Sequence, residues 1–247
     1  MTTTEILDEI AQQVAVCEKC ELCFSRKNAV PGAGNPVTEM LFIGEGPGFH
    51  ENEQGLPFVG RSGQFLDELL AGCGLKRADV FITNVVKCRP PGNRDPLPEE
   101  LAACSRYLDR QIEAINPRVI VTLGRYSMAK FIPNAKISEI HGKPRWVRGR
   151  LIVPMYHPAA ALRLGSLRAV MKDDFASLPR WVEQAHQSAP AQVASTEANT
   201  HPANSPLEDD PAQLDIFSVA PSAAPSPPPQ DQPAPAEPDE PAQLSLF

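Results

Sequence analysis

The sequence has 247 residues, enough for one or two domains. All 23 Lys and Arg lie between Lys19 and Arg180, whereas nine of the 30 acids and 13 of the 27 prolines follow His186. The formal charge of −7 therefore divides into a body of +2, able to approach nucleic acid, and a tail of −9, and no apolar run of about 18 residues suggests a membrane-spanning helix.

In chain order, "MTTTEILDEIAQQVAV" reads as an amphipathic helix; its acids and missing basic start argue against a signal peptide. Met40–Gly44 is a buried strand closed by glycine. The segment "RSGQFLDELLAGCGL" is a helix with Ser62 as N-cap, an apolar stripe at Phe65, Leu66, Leu69 and Leu70, and Gly74 as its stop. "DVFITNVV" is a second strand, and "LPEELAACSRYLDRQIEAI" a helix burying Leu108, Ile112 and Ile115. "RVIVTLG" and "RLIVPMYHP" are the third and fourth strands, separated by the short helix "RYSMAKFI". Leu167–Gln184 forms one last helix. Alternating strands and helices predict a three-layer α/β/α sandwich around a mainly parallel four-stranded sheet, over residues 1–186. The Ala- and Pro-rich acidic segment 187–247 holds too little apolar surface to offset its ordering entropy and is expected to be disordered.

Ligands of such sheets sit beyond the carboxyl ends of the strands. That rule selects Gly44–Phe58, Asn84–Arg94, Gly124–Ser127 and His157–Arg163 as walls of one site. The glycines of "GEGPGFH" suggest a phosphate cradle, but G-x-G-x-x-G would need glycine at position 49, where Phe stands, and no Walker sequence occurs. The other residues on those walls suit a flat heterocycle. Phe58 can stack on one. The Asn84 amide offers an acceptor and a donor that match N3–H and O4 of uracil, whereas cytosine presents the opposite polarity. Glu45 and His157 stand at the ends of separate strands.

The segments "GEGPGFHENEQGLPFVGRSGQFLDELL", "TNVVKCRPPGNRDPLPEE", "LGRYSMAKF" and "HPAAALR" resemble, in order and spacing, the family 4 uracil-DNA glycosylases, which carry an iron–sulfur cluster. The resemblance runs from Cys17 to Trp181. It implies that Glu45 acts on the water or the sugar cation, that the Gly46 backbone shapes the pocket, and that Phe58 stacks on a flipped uracil. It further implies that Asn84 reads the base edge, His157 contacts O2, Glu51 borders the C5 side, and Leu162 or Arg163 enters the DNA stack. The family often shows an acidic pair where this chain has Glu51-Asn52. Gly46 stands where related enzymes have a water-activating Asp, and the basic insertion of DNA-trapping relatives is absent from "KCRPPGNRDPLPEE". A repair enzyme of the cytoplasm and nucleoid, acting as a monomer on uracil-containing DNA, is the resulting expectation.

Six cysteines in a reducing compartment point to metal rather than disulfides. Cys17 and Cys20 form C-x-x-C, and Cys88 and Cys104 complete a set of four thiols; Cys23 is a substitute ligand, and Cys73 reads as a buried apolar residue within a helix. Four thiolates suit zinc or a [4Fe–4S] cluster, and the family resemblance favours the cluster. Arg89 and Arg94, beside Cys88, are candidates for phosphate contact. In the tail, "PAQLDIF" returns as "PAQLSLF". The pattern resembles the peptide that bacterial sliding-clamp partners insert into the clamp, with Gln213, Leu214, Phe217, Gln243, Leu244, Leu246 and Phe247 as its anchors.

Overall fold

The computed structural model describes residues 1–187. Both tail motifs, and with them every expected clamp anchor from Gln213 to Phe247, lie outside the described residues.

The sheet contains β1 (Ala33–Gly34), β2 (Met40–Gly44), β3 (Phe81–Asn84), β4 (Val119–Leu123), β5 (Arg145–Val147) and β6 (Arg150–Met155), in the order β1-β3-β2-β4-β6-β5. The four central strands are parallel, and β1 and β5 pair antiparallel at the two edges. The expected count of four strands is thus corrected to six. β5 is the outer arm of a hairpin turned by Arg148 and Gly149, both at positive φ.

The parallel strands are mostly apolar because both faces are covered, with Thr83, Asn84 and Thr122 as buried polar exceptions. Leu41 and Ile43 of β2 meet Leu7, Ile10 and Val14 of α1 (Thr3–Ala15) and Tyr107, Leu108 and Ile112 of α5 (Pro98–Ile115) in one core cluster. Met40 and Phe42 face the other way, toward Phe65, Leu66 and Leu69 of α4 (Arg61–Gly72) and Met171 and Phe175 of α9 (Leu167–Ala176). The rings of Phe42 and Phe175 stack with centroids 6.2 Å apart. These two cores on opposite faces make the three layers. α1 begins with a reciprocal cap: the Thr2 hydroxyl accepts from Glu5 N–H, and the Glu5 carboxylate accepts from Thr2 N–H at 2.7 Å.

Two helix boundaries differ from the sequence reading. The single helix expected over Leu167–Gln184 is broken at Ser177 into α9 and α10 (Leu178–Gln187). Pro179 has no N–H with which to continue the α9 ladder. Gly60, not Ser62, caps α4, and Ser62 lies inside the first turn. Among the described residues, no helix is long and apolar enough to cross a membrane.

The register of the parallel strands brings their carboxyl ends to one edge, where Gly44 pairs with Asn84. The short helices α3 (Phe49–Gln54), α6 (Arg125–Ala129) and α8 (Pro158–Arg163) follow those ends or the loops beyond them. The remaining short α-helices among the described residues are α2 (Leu22–Ser25) and α7 (Ile137–Ile140), and Arg77–Asp79 and Pro91–Asn93 form 3-10 turns.

α4 crosses the Pro57–Phe58 backbone so closely that a Cβ at Gly63 would stand 1.7 Å from the Phe58 carbonyl oxygen, whereas nothing among the described residues lies within 4 Å of one at Gly72. Gly63→Ala is therefore expected to lower stability by about 1–3 kcal/mol. Gly72→Ala is expected to be neutral or to stabilise by up to about 1 kcal/mol. Denaturant melts of the two variants check the contrast, and equal midpoints would refute it.

Candidate active site

A cleft of about 450 Å³ opens at the carboxyl edge of the sheet. Glu45, Gly46, Glu51, Phe58, Asn84, His157, Arg94 and Arg163 all line it, so most of the residues singled out in the sequence come together in space.

The cleft is built around Gly44, the last residue of β2. A Cβ there would lie 2.4 Å from Asn84 Oδ1 and 2.6 Å from the Phe58 ring. Only a glycine lets the amide and the ring meet over the strand end. Asn84 is 1 % exposed, and its Oδ1 is buried with no hydrogen-bond partner among the described residues. An unpaired amide oxygen in such a place calls for a donor from outside the chain.

Phe58 has a left-handed backbone, φ 53°, a conformation that a side chain of this size adopts at a cost. Arg77 holds it there by donating to the carbonyls of Pro57 and Phe58. The Phe58 ring stacks on the imidazole of His157, with centroids 5.5 Å apart and planes 29° from parallel.

His157 caps α8: its Nδ1 accepts from Ala159 N–H at 3.1 Å. The ring proton of the neutral imidazole is then on Nε2. Burial, reinforced by Arg163, lowers the His157 pKa to about 4 and keeps the ring neutral near pH 7.

Glu45 follows β2. Among the described residues no hydrogen-bond donor reaches its carboxylate. Burial raises its pKa, Asp95 adds to the rise, and Arg125 and Arg163 oppose it. Arg125 forms an ion pair with Asp95 at the cleft mouth. The carboxyl ends of the strands had marked this loop, but neither Arg125 nor Asp95 stood out individually in the sequence.

Glu51 borders the cleft, as the resemblance implied, and its carboxylate is also engaged within the chain. Its Oε1 accepts from Val59 N–H at 2.9 Å and Gly60 N–H at 2.8 Å, and its Oε2 accepts from Gly48 N–H at 3.1 Å. The carboxylate thereby ties the two ends of the glycine loop together. Its neighbour Asn52, where the family often has a second acid, is buried and accepts from Lys27 N–H at 2.9 Å. That residue anchors the N-terminal segment rather than the cleft.

The remaining candidates divide. Arg94 forks onto the buried carboxylate of Glu100, with bonds of 2.9 and 2.6 Å. Leu162 packs against the core beneath α8, while Leu164, two residues on, is 57 % exposed. Arg89 stands outside the cleft and donates to Asn93 Oδ1 at 2.8 Å.

Cys17, Cys20, Cys23, Cys88 and Cys104 line a separate apolar hollow with Val14, Leu22 and Tyr107. Cys73 lies elsewhere, as the C-cap of α4, and donates to the Leu70 carbonyl. Lys87 N–H donates to Cys104 Sγ at 3.3 Å, and Arg26 donates to Cys88 Sγ at 3.4 Å. Burial raises the pKa of Cys20 and Cys88, and that of Cys104 to about 11. Such thiols hold their protons unless a cation displaces them. Among the described residues, no three Cys, His, Asp or Glu stand close enough to hold one metal ion.

Lys87 had no place in the sequence reading. It is 1 % exposed, and its Nζ donates to Thr83 Oγ1 at 2.5 Å, Gln111 Oε1 at 2.7 Å and the Asn84 carbonyl at 2.9 Å. It fastens the backbone of the unpaired amide from below.

The family model described as the uracil DNA glycosylase superfamily matches residues 31–178. The type-4 uracil-DNA glycosylase of Archaeoglobus fulgidus is 48% identical over 181 residues, covering 69% of this chain and 90% of that protein. The type-4 enzyme of Saccharolobus solfataricus is 49% identical over 198 residues, covering 74% and 88%. That of Thermotoga maritima is 43% identical over 188 residues, covering 74% and 98%. With more than half of its length matched by the family and most of each relative covered, the chain belongs to the uracil-DNA glycosylase superfamily, among its type-4 members.

Proposed function

We propose that this chain is a uracil-DNA glycosylase of DNA repair, which flips uracil out of DNA and hydrolyses its N-glycosidic bond to leave an abasic site. The observation that carries the reading is the buried, unpaired Asn84 Oδ1 beside the Phe58 ring. It supports a site for a flat base that presents N–H to an acceptor and a carbonyl to the amide nitrogen. A base inside a duplex cannot reach such a recess, so the nucleotide must leave the stack.

Breaking the bond leaves negative charge on the uracil and positive charge on the sugar. His157 donates from Nε2 to O2 and stabilises the leaving anion; its Nδ1, held by Ala159 N–H, fixes that tautomer. Glu45 faces the sugar, balances the oxocarbenium charge and orients the water that adds to C1′. The proton that water loses as it adds to C1′ balances the one that the freed uracil anion takes up from solvent on departure. The Gly46 backbone and Glu51 shape the wall, Glu51 by holding the loop. Arg163 and Arg125 meet the strand at the mouth, and Leu164, exposed beyond α8, is placed to enter the stack in place of Leu162.

Cys17, Cys20, Cys88 and Cys104 are proposed to hold one [4Fe–4S] cluster. Thiols spread around a hollow suit a cluster, whose irons take one sulfur each, better than zinc, whose four sulfurs must all lie about 2.3 Å from one centre. The N–H groups aimed at Cys88 and Cys104 suit thiolates. The cluster would cross-link the N-terminal segment to the Cys88 loop, and hydrolysis requires no redox step from it. The segments Pro211–Phe217 and Pro241–Phe247 are proposed to bind a bacterial sliding clamp, raising the local concentration of the enzyme at newly made DNA.

The experiments follow these assignments. On oligonucleotides carrying uracil, hypoxanthine or thymine, alkali should reveal abasic sites at uracil alone. His157→Ala should reduce the rate by about 10²–10³-fold, the usual loss of an anion donor, and Asn84→Asp by on the order of 10²-fold or more. Undiminished rates would remove these roles.

In the wild type the rate should be level around neutral pH, with no inflection at the ordinary His value of 6.5. An acid limb should appear with a midpoint above 4.5, as the raised Glu45 carboxyl takes its proton. Because the folded His157 pKa lies below its unfolded value, the folded chain binds fewer protons between pH 6.5 and about 4, and stability is lost as pH falls through that window. The purified protein should be brown, with absorption near ~400 nm that bleaches on reduction; a colourless, zinc-loaded protein would overturn the cluster. The heptapeptide "PAQLSLF", labelled and titrated with a bacterial sliding clamp, should bind, and lose binding when Leu244 and Phe247 are both replaced by Ala.

A further inference from the structure

Phe49 disqualified the phosphate-cradle pattern, and the glycosylase chemistry assigns it nothing. It is the first residue of α3, directly after the cleft-lining Gly48, and is 54 % exposed. The guanidinium of Arg89 lies over its ring, 5.4 Å from the centroid, and His50 meets it edge-on at 5.4 Å. Arg89 is itself held by Asn93, and its chain neighbour Pro90 lines the cleft together with Asn93. An aromatic ring braced by a cation therefore stands on the rim where the glycine loop and the Cys88–Arg94 loop meet.

A large apolar ring left open beside a site calls for an occupant, and its surroundings choose one. The rim adjoins the cleft through Gly48, and the guanidinium over the ring, that of Arg89, complements a phosphate. When one nucleotide leaves the stack, its neighbour on the same strand loses a stacking face. Every base offers a π-face to an aromatic side chain, and an Arg beside it adds attraction for both ring and backbone.

We propose that Phe49, braced by Arg89, is a stacking platform for the base adjacent to the flipped uridine on the same strand. The proposal rests on the uracil-DNA glycosylase reading. It makes Phe49 a substrate-binding residue that touches no reacting atom.

The test uses the full chain and single-stranded oligonucleotides with one central deoxyuridine, under single-turnover conditions. The flanking nucleotides are either ordinary or replaced by abasic spacers. Phe49→Ala should raise the half-saturating concentration on the order of tenfold, the size of one base–aromatic stack, with the saturating rate retained. Phe49→Trp should restore the wild-type value. On the wild type, a spacer on one side of the uridine should cause the same loss, and the Phe49→Ala variant should be indifferent to that spacer. An unchanged half-saturating concentration in Phe49→Ala, or equal losses to the spacer in both proteins, would overturn the platform while leaving the glycosylase intact. No uracil release by the wild type on any oligonucleotide would overturn both.

Discussion

The absence of a side chain at Gly44 is the constraint on which the cleft depends. β2 ends there, and the space that a methyl group would fill is shared by the Asn84 amide and the Phe58 ring. Each partner is then secured from a different direction. Asn84 is held through its carbonyl by Lys87, and Phe58 through its own carbonyl by Arg77. The loop between Gly48 and Gly60 is drawn closed by the three amides that Glu51 collects. No one of these contacts is unusual. Together they hold a strained turn and an unsatisfied amide, both of which a relaxed chain would avoid.

Lys87 extends this arrangement away from the cleft. Its ammonium is buried among three acceptors, while its backbone N–H points to the Cys104 sulfur. Removing an ammonium from water is expensive, and burial lowers its pKa to about 7. A single residue thus ties the end of β3 to the thiol hollow and to α5. The N-terminal segment reaches the same region by another route, since Arg26 donates to the Cys17 carbonyl and to Cys88, and Asn52 receives Lys27. The thiol-bearing and cleft-bearing parts of the fold are joined by these hydrogen bonds as well as by any cluster.

The central strands were legible because a strand buried on both faces must be mostly apolar, and "MLFIG" and, but for Thr122, "VIVTL" are. The edge strands were not: β1 has two residues, and β5 is an exposed "RWV" without alternation. The break before α10 was in plain view at Pro179, but the apolar periodicity on either side outweighed it. Glu45, Phe58, Asn84 and His157 were legible since strand ends and residue chemistry both selected them. Arg77, Lys87 and the pair of Arg125 with Asp95 were hidden, because their meaning lies in partners 19–30 positions away or, for Lys87, in burial that its charge argues against. Glu51 illustrates the converse. A sequence can mark an acid as part of a site without revealing that its oxygens are already taken.

On the proposed reading, the unpaired oxygen of Asn84 has a consequence after the bond is cut. The edge that selects uracil in DNA is unchanged in the free base, so the contact that recognises the substrate also retains the product. The N3–H part of that binding is the same before and after the reaction and does nothing to lower the barrier between them, whereas the amide N–H on O4 strengthens as charge develops on the base. Release must therefore be driven by what hydrolysis does change: the charge lost when the departing anion is protonated, and the severed link to the strand that carried the base in. An enzyme built on this recess distinguishes its target through an interaction it must afterwards undo, and selectivity and departure are set by the same buried atom.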